Sequence, residues 1–221
     1  MWAEQAVFTS LLCRGRAGYH LVSRSRGVDE SDAQALARWA PSHGALILDA
    51  NNRTSVNFHP VPSGRFALSR TCAGLPEYSG RGGHQLYTHF LIIDDAALES
   101  VGFHPFSIYR DAMALGCLLY QLDPKEVLEP VRLSQLHPQR DACSWAARAG
   151  ELGLPKPRLV LDRLLSEQPV RLAYTGDRAA LAECLIGMLP SQAVRRASFA
   201  TSLEPSAVRP FALSLVGADL K

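Results

Sequence analysis

The segment His84–Ile93, HQLYTHFLII, most constrains what the chain can fold into. Its last four residues, Phe90–Ile93, are all apolar, so both faces of a strand at this position would be apolar. A strand that is apolar on both faces is typical of the interior of a sheet, with neighbours on both sides. The sequence therefore predicts a sheet with His84–Ile93 at its centre.

Other strand and helix patterns surround this segment. Strands are predicted at residues 5–12, 18–24, 45–49, 54–59 and 65–71. The residues PVPSG favour a bend between the last two, which predicts a hairpin. A helix is predicted from Asp29, a suitable N-cap, to Pro41, and two shorter helices follow residue 93. The predicted fold class is α+β, a mainly antiparallel sheet with flanking helices.

A second, smaller α/β unit is predicted after the charged, proline-containing stretch QLDPKEVLEP. We place the boundary so that an N-terminal α+β domain spans residues 1–122 and the smaller unit spans 123–221. The segment VRLAYT has a strand pattern, and a helix capped by Asp177 and ended by Pro190 follows it. The next strand pattern, ASFATSL, completes a strand–helix–strand unit that suits a parallel crossover.

The loop YSGRGGH, which precedes the central strand, contains three glycines around one arginine. Phosphate-binding GxxxxGK[ST] and GxGxxG loops lead into a helix, whereas this loop leads into a strand and has no lysine. The loop is therefore neither of these two nucleotide-binding motifs. A flexible turn and a contact loop for a partner remain, and the second interpretation makes Gly80, Arg81, Gly82 and Gly83 partner-binding residues.

Four arginines flank the first two predicted strands, at Arg14, Arg16, Arg24 and Arg26. They are either separately solvated or form a patch for an acidic partner, and Arg24 and Arg26 would share a face if the strand continued. A nucleic-acid-binding module is one alternative function based on these arginines. The net charge of only +2 makes nucleic acid an unexpected partner.

A second alternative is a hydrolase that uses a polar patch of Asn57, His59, Tyr87 and His89. Strand alternation places Asn57 and His59 on one face of their strand, and Tyr87 and His89 on one face of theirs. The patch forms only if these two faces coincide. The chain has no HxH, HExxH, GxSxG or CxxC motif, so we predict no metal, no cofactor and no catalytic residue.

The N-terminal sequence MWAEQAVFTS is not that of a signal peptide, and no apolar run approaches the ~20 residues that span a bilayer. The five cysteines are far apart in sequence, which is typical of reduced thiols. We therefore expect a cytoplasmic protein without membrane contact.

Several segments together resemble a known family: AEQAVFTS, GYHLVSRSRGV, SVNFHPVPSGRFALSRT and EYSGRGGHQLYTHFLII. They are similar to the N-terminal domain, in its second variant, of bacterial GTPase-associated proteins. The segment MLPSQAVRRASFATS resembles the middle domain that follows in that family.

The resemblance implies a context more than a chemistry. Members are encoded beside GTPases in predicted bacterial conflict, or immunity, systems, where they are thought to act as adaptors or sensors. It therefore implies a non-enzymatic adaptor that binds a GTPase or another protein of the same system. Members usually continue into a further C-terminal domain, so we expect either a fragment or a shorter member.

Overall fold

A computed structural model of the chain describes residues 1–11, 17–76, 82–134 and 142–218. The strands within these ranges are β1 (Trp2–Ser10), β2 (Tyr19–Ser25), β3 (Thr54–Pro60), β4 (Phe66–Pro76), β5 (His84–Ile93), β6 (Val127–Leu128), β7 (Val131–Arg132), β8 (Val170–Ala173), β9 (Phe199–Ala200) and β10 (Leu213–Val216). The helices are α1 (Glu30–Trp39), α2 (Asp95–Ser100), α3 (Pro105–Ala114), α4 (Ala142–Glu151), α5 (Pro157–Leu165), α6 (Arg178–Gly187) and α7 (Ser191–Arg196).

The strands form one sheet in the order β6-β2-β1-β5-β4-β3-β9-β10-β8, and β7 pairs separately with the start of β1. The pairs β1–β2, β1–β5, β4–β5 and β3–β4 are all antiparallel. β5 has the bounds that the sequence predicts and lies in the interior of the sheet, between β1 and β4, and its side chains after His84 are buried on both faces. The α+β fold class is confirmed.

The last three strands of the sheet come from the C-terminal part of the chain. β9 is antiparallel to β3, whereas β10 is parallel to both β9 and β8. The unit β8–α6–β9 is therefore a crossover between parallel strands, with β10 inserted between them. Strands from both sides of residue 122 pair in the same sheet, and the boundary between two domains stays a prediction.

Two apolar layers cover the sheet. On one side, which we call the α1 face, Leu36 packs with Ala67 and Phe90. On the opposite face, Phe58 and Leu91 pack against helices from both halves of the chain. The exposed residues of α1 point away from the sheet, so this helix lies along the sheet as a single layer.

Side-chain carboxylates fix the position of α1. Asp29 accepts a hydrogen bond from the backbone N–H of Asp32 at 2.8 Å, which confirms the predicted N-cap. The buried carboxylate of Asp32 accepts hydrogen bonds from Ser63 Oγ (2.7 Å) and Arg65 Nη2 (2.8 Å). Since Ser63 lies in the turn between β3 and β4, Asp32 ties the helix to that hairpin.

Candidate partner-binding surface

The predicted polar patch does not form, because its residues lie on opposite faces of the sheet. Asn57 pairs with Ser69, and Ser69 pairs with Phe90, so Asn57 shares the α1 face with Phe90. His89 pairs instead with Arg70, on the opposite face. Alternation then puts His59 with Asn57 and puts Tyr87 with His89. The condition on which the patch depended, that these two strand faces coincide, is therefore not met.

His59 is part of the packing beneath α1. Its ring stacks on Trp39 with 4.4 Å between centroids and 10° between planes. Nδ1 lies 3.1 Å from the carbonyl oxygen of Pro60, and the side chain is 1% exposed. Burial lowers the pKa of His59 from 6.5 to about 4, so the imidazole is neutral at pH 7.

His89, on β5, is hydrogen-bonded to Gln5, which is in turn hydrogen-bonded to Glu129 in the segment between β6 and β7. The amide of Gln5 donates from Nε2 to the carbonyl oxygen of Glu129 at 2.6 Å, so its Oε1 is the acceptor. His89 Nε2 lies 3.0 Å from that Oε1 and therefore carries the proton. Burial lowers the pKa of His89 to about 4 and raises that of the neighbouring Tyr87.

The four side chains of the predicted polar patch are each no more than 2% exposed: Asn57, His59, Tyr87 and His89. Asn57 is also occupied, since its Nδ2 donates to Ser69 Oγ at 3.1 Å and its Oδ1 accepts from Ser55 Oγ at 2.6 Å. A substrate outside the protein cannot reach them, and the hydrolase hypothesis loses the geometry on which it depended. No group of three or more His, Cys, Asp or Glu side chains that could hold a metal ion occurs in the described ranges.

The glycine loop before β5 is described only in part. Gly82 and Gly83 are exposed and both have φ of +75°, a left-handed conformation that favours glycine. Gly83 lies beside the ring of His43, which comes from the segment after α1. Gly80 and Arg81, the other two predicted contact residues of the loop, lie outside the described residues.

The predicted arginine patch is likewise divided. Arg24 is exposed on β2, and its Nη1 forms a salt bridge with Glu30 Oε2 at 3.0 Å. Arg26 is exposed beyond the end of β2 at Ser25, so the strand does not continue far enough to place it beside Arg24 on one face. Arg14 and Arg16 lie outside the described residues.

A groove that sequence reasoning missed runs along the outer edge of β2. It has a volume of about 970 Å³ and is lined by the edge of β2, by one side of α1 and by residues 122–126. β6 pairs only with Arg24 and Ser25, so no strand in the described ranges covers the rest of that edge. The groove joins elements far apart in sequence, which is why no local pattern indicated it.

Comparison with models of known families identifies most of this architecture. Residues 2–131 match the family described as GTPase-associated protein 1, N-terminal domain type 2, which is more than half of the chain. The chain belongs to this family. The GTPase-associated N-terminal domain contains β1–β6 and α1–α3, and thus all the residues that line the groove. Searches of curated proteins and of solved structures found no match.

Within the ranges that the structure describes, no helix is long and apolar enough to cross a membrane.

Proposed function

We propose that this chain is a non-enzymatic adaptor that binds a GTPase, or another protein of the same bacterial conflict system, in the cytoplasm. The observation that carries the proposal is the family match over residues 2–131, since the family's description is that of a GTPase-associated protein. The burial of His59, Tyr87 and His89 supports a binding role over a hydrolytic one.

The exposed features of the family domain supply candidate contacts. They are the β2-edge groove, Gly82 and Gly83 of the glycine loop, and the exposed cations Arg24 and Arg26. Backbone at an exposed glycine loop or strand edge can approach a partner closely, and such positions on a rigid sheet are common recognition sites. The salt bridge between Arg24 and Glu30 neutralises one of the cations, which weakens the case for nucleic acid as the partner.

The test is to mix the purified chain with the GTPase encoded beside its gene. Complex formation would be measured by calorimetry and size-exclusion chromatography with the GTPase free of nucleotide, bound to GDP, and bound to a non-hydrolysable GTP analogue. We expect a 1:1 or higher-order complex in at least one state. The absence of a complex in all three states would overturn the proposal.

A salt titration distinguishes the nucleic-acid alternative. If the arginines bind a phosphate backbone, binding to DNA or RNA will weaken steeply as salt rises. We expect no binding to either at low salt.

A further inference from the structure

We propose that a cavity at the β8 edge of the sheet binds a phosphate group, as free phosphate or as the monoester of a small molecule, through Arg171, Arg209 and Ser214. This inference goes beyond the proposed adaptor function and does not depend on it. The cavity has a volume of about 430 Å³ and lies outside the matched family domain. It is lined by the start of β8, by β10 and by the loop that joins β9 to β10.

The register of the sheet brings Arg171 and Ser214 together. β8 is parallel to β10, and Arg171 is paired with Ser214 across the two strands. Ser214 is paired in turn with Ala200 of β9, and Ala200 with Asn57 of β3, so these residues share the α1 face. Since β8 is the last strand in the order of the sheet, the cavity lies at the end of that face.

The loop between β9 and β10 fixes the backbone of Arg209. The N–H of Arg209 donates to the carbonyl oxygen of Ser206 at 3.0 Å, and the carbonyl oxygen of Arg209 accepts from the N–H of Phe211 at 2.9 Å. Phe211 is buried, and its ring meets that of Trp39 with 4.8 Å between centroids. Arg209 is therefore positioned by the fold before any ligand binds.

Three polar side chains line this cavity with donors that no residue in the described part of the chain satisfies. Arg209 Nε is buried and has no hydrogen-bond acceptor there. Ser214 is 8% exposed, and its hydroxyl makes no hydrogen bond to a described side chain or backbone group. Arg171 is exposed and forms no salt bridge within the ranges that the structure covers. An anion that accepts from these groups would remove the cost of leaving a buried N–H without an acceptor.

The charges around the cavity favour an anion. Two guanidinium groups line it, and no acidic side chain of the described residues does. Burial lowers the pKa of Arg209, and no described carboxylate opposes that effect. The guanidinium nevertheless stays protonated at neutral pH, so a cation is partly removed from water without a counter-charge. Such a cation attracts an anionic ligand.

The number of donors and charges selects phosphate over a carboxylate. A phosphate monoester carries a charge of about −2 at pH 7 and has three terminal oxygens that accept hydrogen bonds. Two arginines balance that charge, and the three side chains provide at least one donor for each oxygen. A carboxylate has one charge and two oxygens, so it would leave part of this set unused. The cavity also has room beside the phosphate group, where three prolines form apolar walls for the rest of a small molecule.

The first experiment is an NMR titration of the isotope-labelled chain with inorganic phosphate, guanosine monophosphate and glycerol phosphate, all at constant ionic strength. The Nε–H signal of Arg209, identified by its loss in Arg209→Lys, reports directly on the buried donor. We expect this signal to shift and saturate with phosphate. An ester that binds about tenfold more tightly would assign the site to phosphorylated small molecules, and equal affinities would assign it to free phosphate.

Three results of this titration would overturn the inference. The first is an Nε–H signal that does not respond to any of the three probes. The second is an equal response to acetate or chloride, which would indicate general screening of a cation. The third is a phosphoserine peptide that binds about tenfold more tightly than the small probes, because the partner would then be a protein.

The second experiment compares variants that change the charge equally. Arg209→Gln and Arg158→Gln each remove one positive charge, but Arg158 is exposed on α5 and does not line the cavity. We expect the dissociation constant for phosphate to rise about tenfold or more for Arg209→Gln and to stay unchanged for the control. Arg171→Gln, at an exposed position, should also weaken binding and decides the matter if Arg209→Gln does not fold. Equal weakening in all variants would show that phosphate responds only to net charge, and the site would be rejected.

Discussion

The guanidinium of Arg178 is fully buried and donates from Nη1 to Oδ2 of Asp49 at 2.7 Å. It also donates from Nε to the carbonyl oxygen of Thr201 at 2.9 Å and from Nη2 to that of Ile47 at 3.1 Å. One side chain at the start of α6 therefore holds together the segment before β3 and the segment after β9. Asp49 is the carboxylate that balances its charge, although 35% of the Asp49 side chain is exposed.

Removal of Asp49 is expected to cost more stability than its exposure indicates. Asp49→Ala leaves a buried cation without a counter-charge, so we expect a loss of about 3–5 kcal/mol in the free energy of unfolding. Arg178→Met leaves the Asp49 carboxylate to water but also removes the donor from the carbonyl oxygens of Thr201 and Ile47, so we expect a loss of similar size, about 3–5 kcal/mol. Urea unfolding of both variants measures this, and equal stability of Asp49→Ala and wild type would contradict it.

The sequence predicted elements well where local chemistry determines them. The bounds of β5 follow from its apolar run. The N-caps of α1 and α6 follow from Asp29 and Asp177, each of which accepts a hydrogen bond from the backbone N–H three residues later. Arg178 shows the limit. It follows a helix cap, where a solvated cation is the ordinary expectation, and its burial depends on Asp49, a residue 129 positions away.

The sequence could not predict whether the candidate residues of the polar patch lie together, for a related reason. Alternation within β3 and within β5 is correctly predicted, but the register between these strands passes through β4, and Asn57 aligns with Phe90 rather than with His89. A shift of one residue moves every side chain to the other face, and no local pattern fixes it. α7 was also missed, because the proline that ends α6 also precedes this short helix.

Stability should fall on acidification because of His59 and His89. Burial lowers the pKa of each from 6.5 to about 4 in the folded chain. The unfolded chain therefore binds more protons between these values, so the contribution is complete above pH 6.5 and is lost as the pH falls toward 4. Each histidine adds a slope of up to ~1.4 kcal/mol per pH unit.

The measurement is urea unfolding between pH 7.5 and pH 5. The matched variant is His59→Phe with His89→Gln, in which the first change keeps an aromatic ring against Trp39 and the second keeps a donor for Gln5. We expect the free energy of unfolding of the variant to change less with pH than that of the wild type. The difference in slope corresponds to the uptake of up to two protons on unfolding. The same pH dependence in both proteins would show that the histidines are not buried in the neutral form.

Two helical glycines should respond in opposite directions to replacement by alanine. A Cβ atom at Gly187 in α6 would lie 2.8 Å from the ring of Trp145, which is held by stacking on the buried His104 with 5.3 Å between centroids. Gly187→Ala should therefore destabilise the chain by about 1–3 kcal/mol. At Gly150, in α4, a Cβ atom would meet nothing within 4 Å, and Gly150→Ala should stabilise it by about 0.5–1 kcal/mol. Thermal melting of the two variants checks both signs, and a stabilised Gly187→Ala would mean that the indole can move aside.

Arg81 should contribute to partner binding and little to stability. The residues that follow it, Gly82 and Gly83, are exposed and lead directly into β5, the central strand. A contact loop on such a rigid base presents its side chains without being part of the core. Arg81→Ala is thus expected to change the free energy of unfolding by less than about 0.5 kcal/mol and to weaken GTPase binding by ~1 kcal/mol or more. The control is Arg158→Ala, since Arg158 is exposed on α5 outside the family domain. This variant should alter neither the free energy of unfolding nor the affinity for the GTPase. A large drop in melting temperature for Arg81→Ala would assign the side chain a structural role, and an unchanged affinity would reduce the loop to a turn.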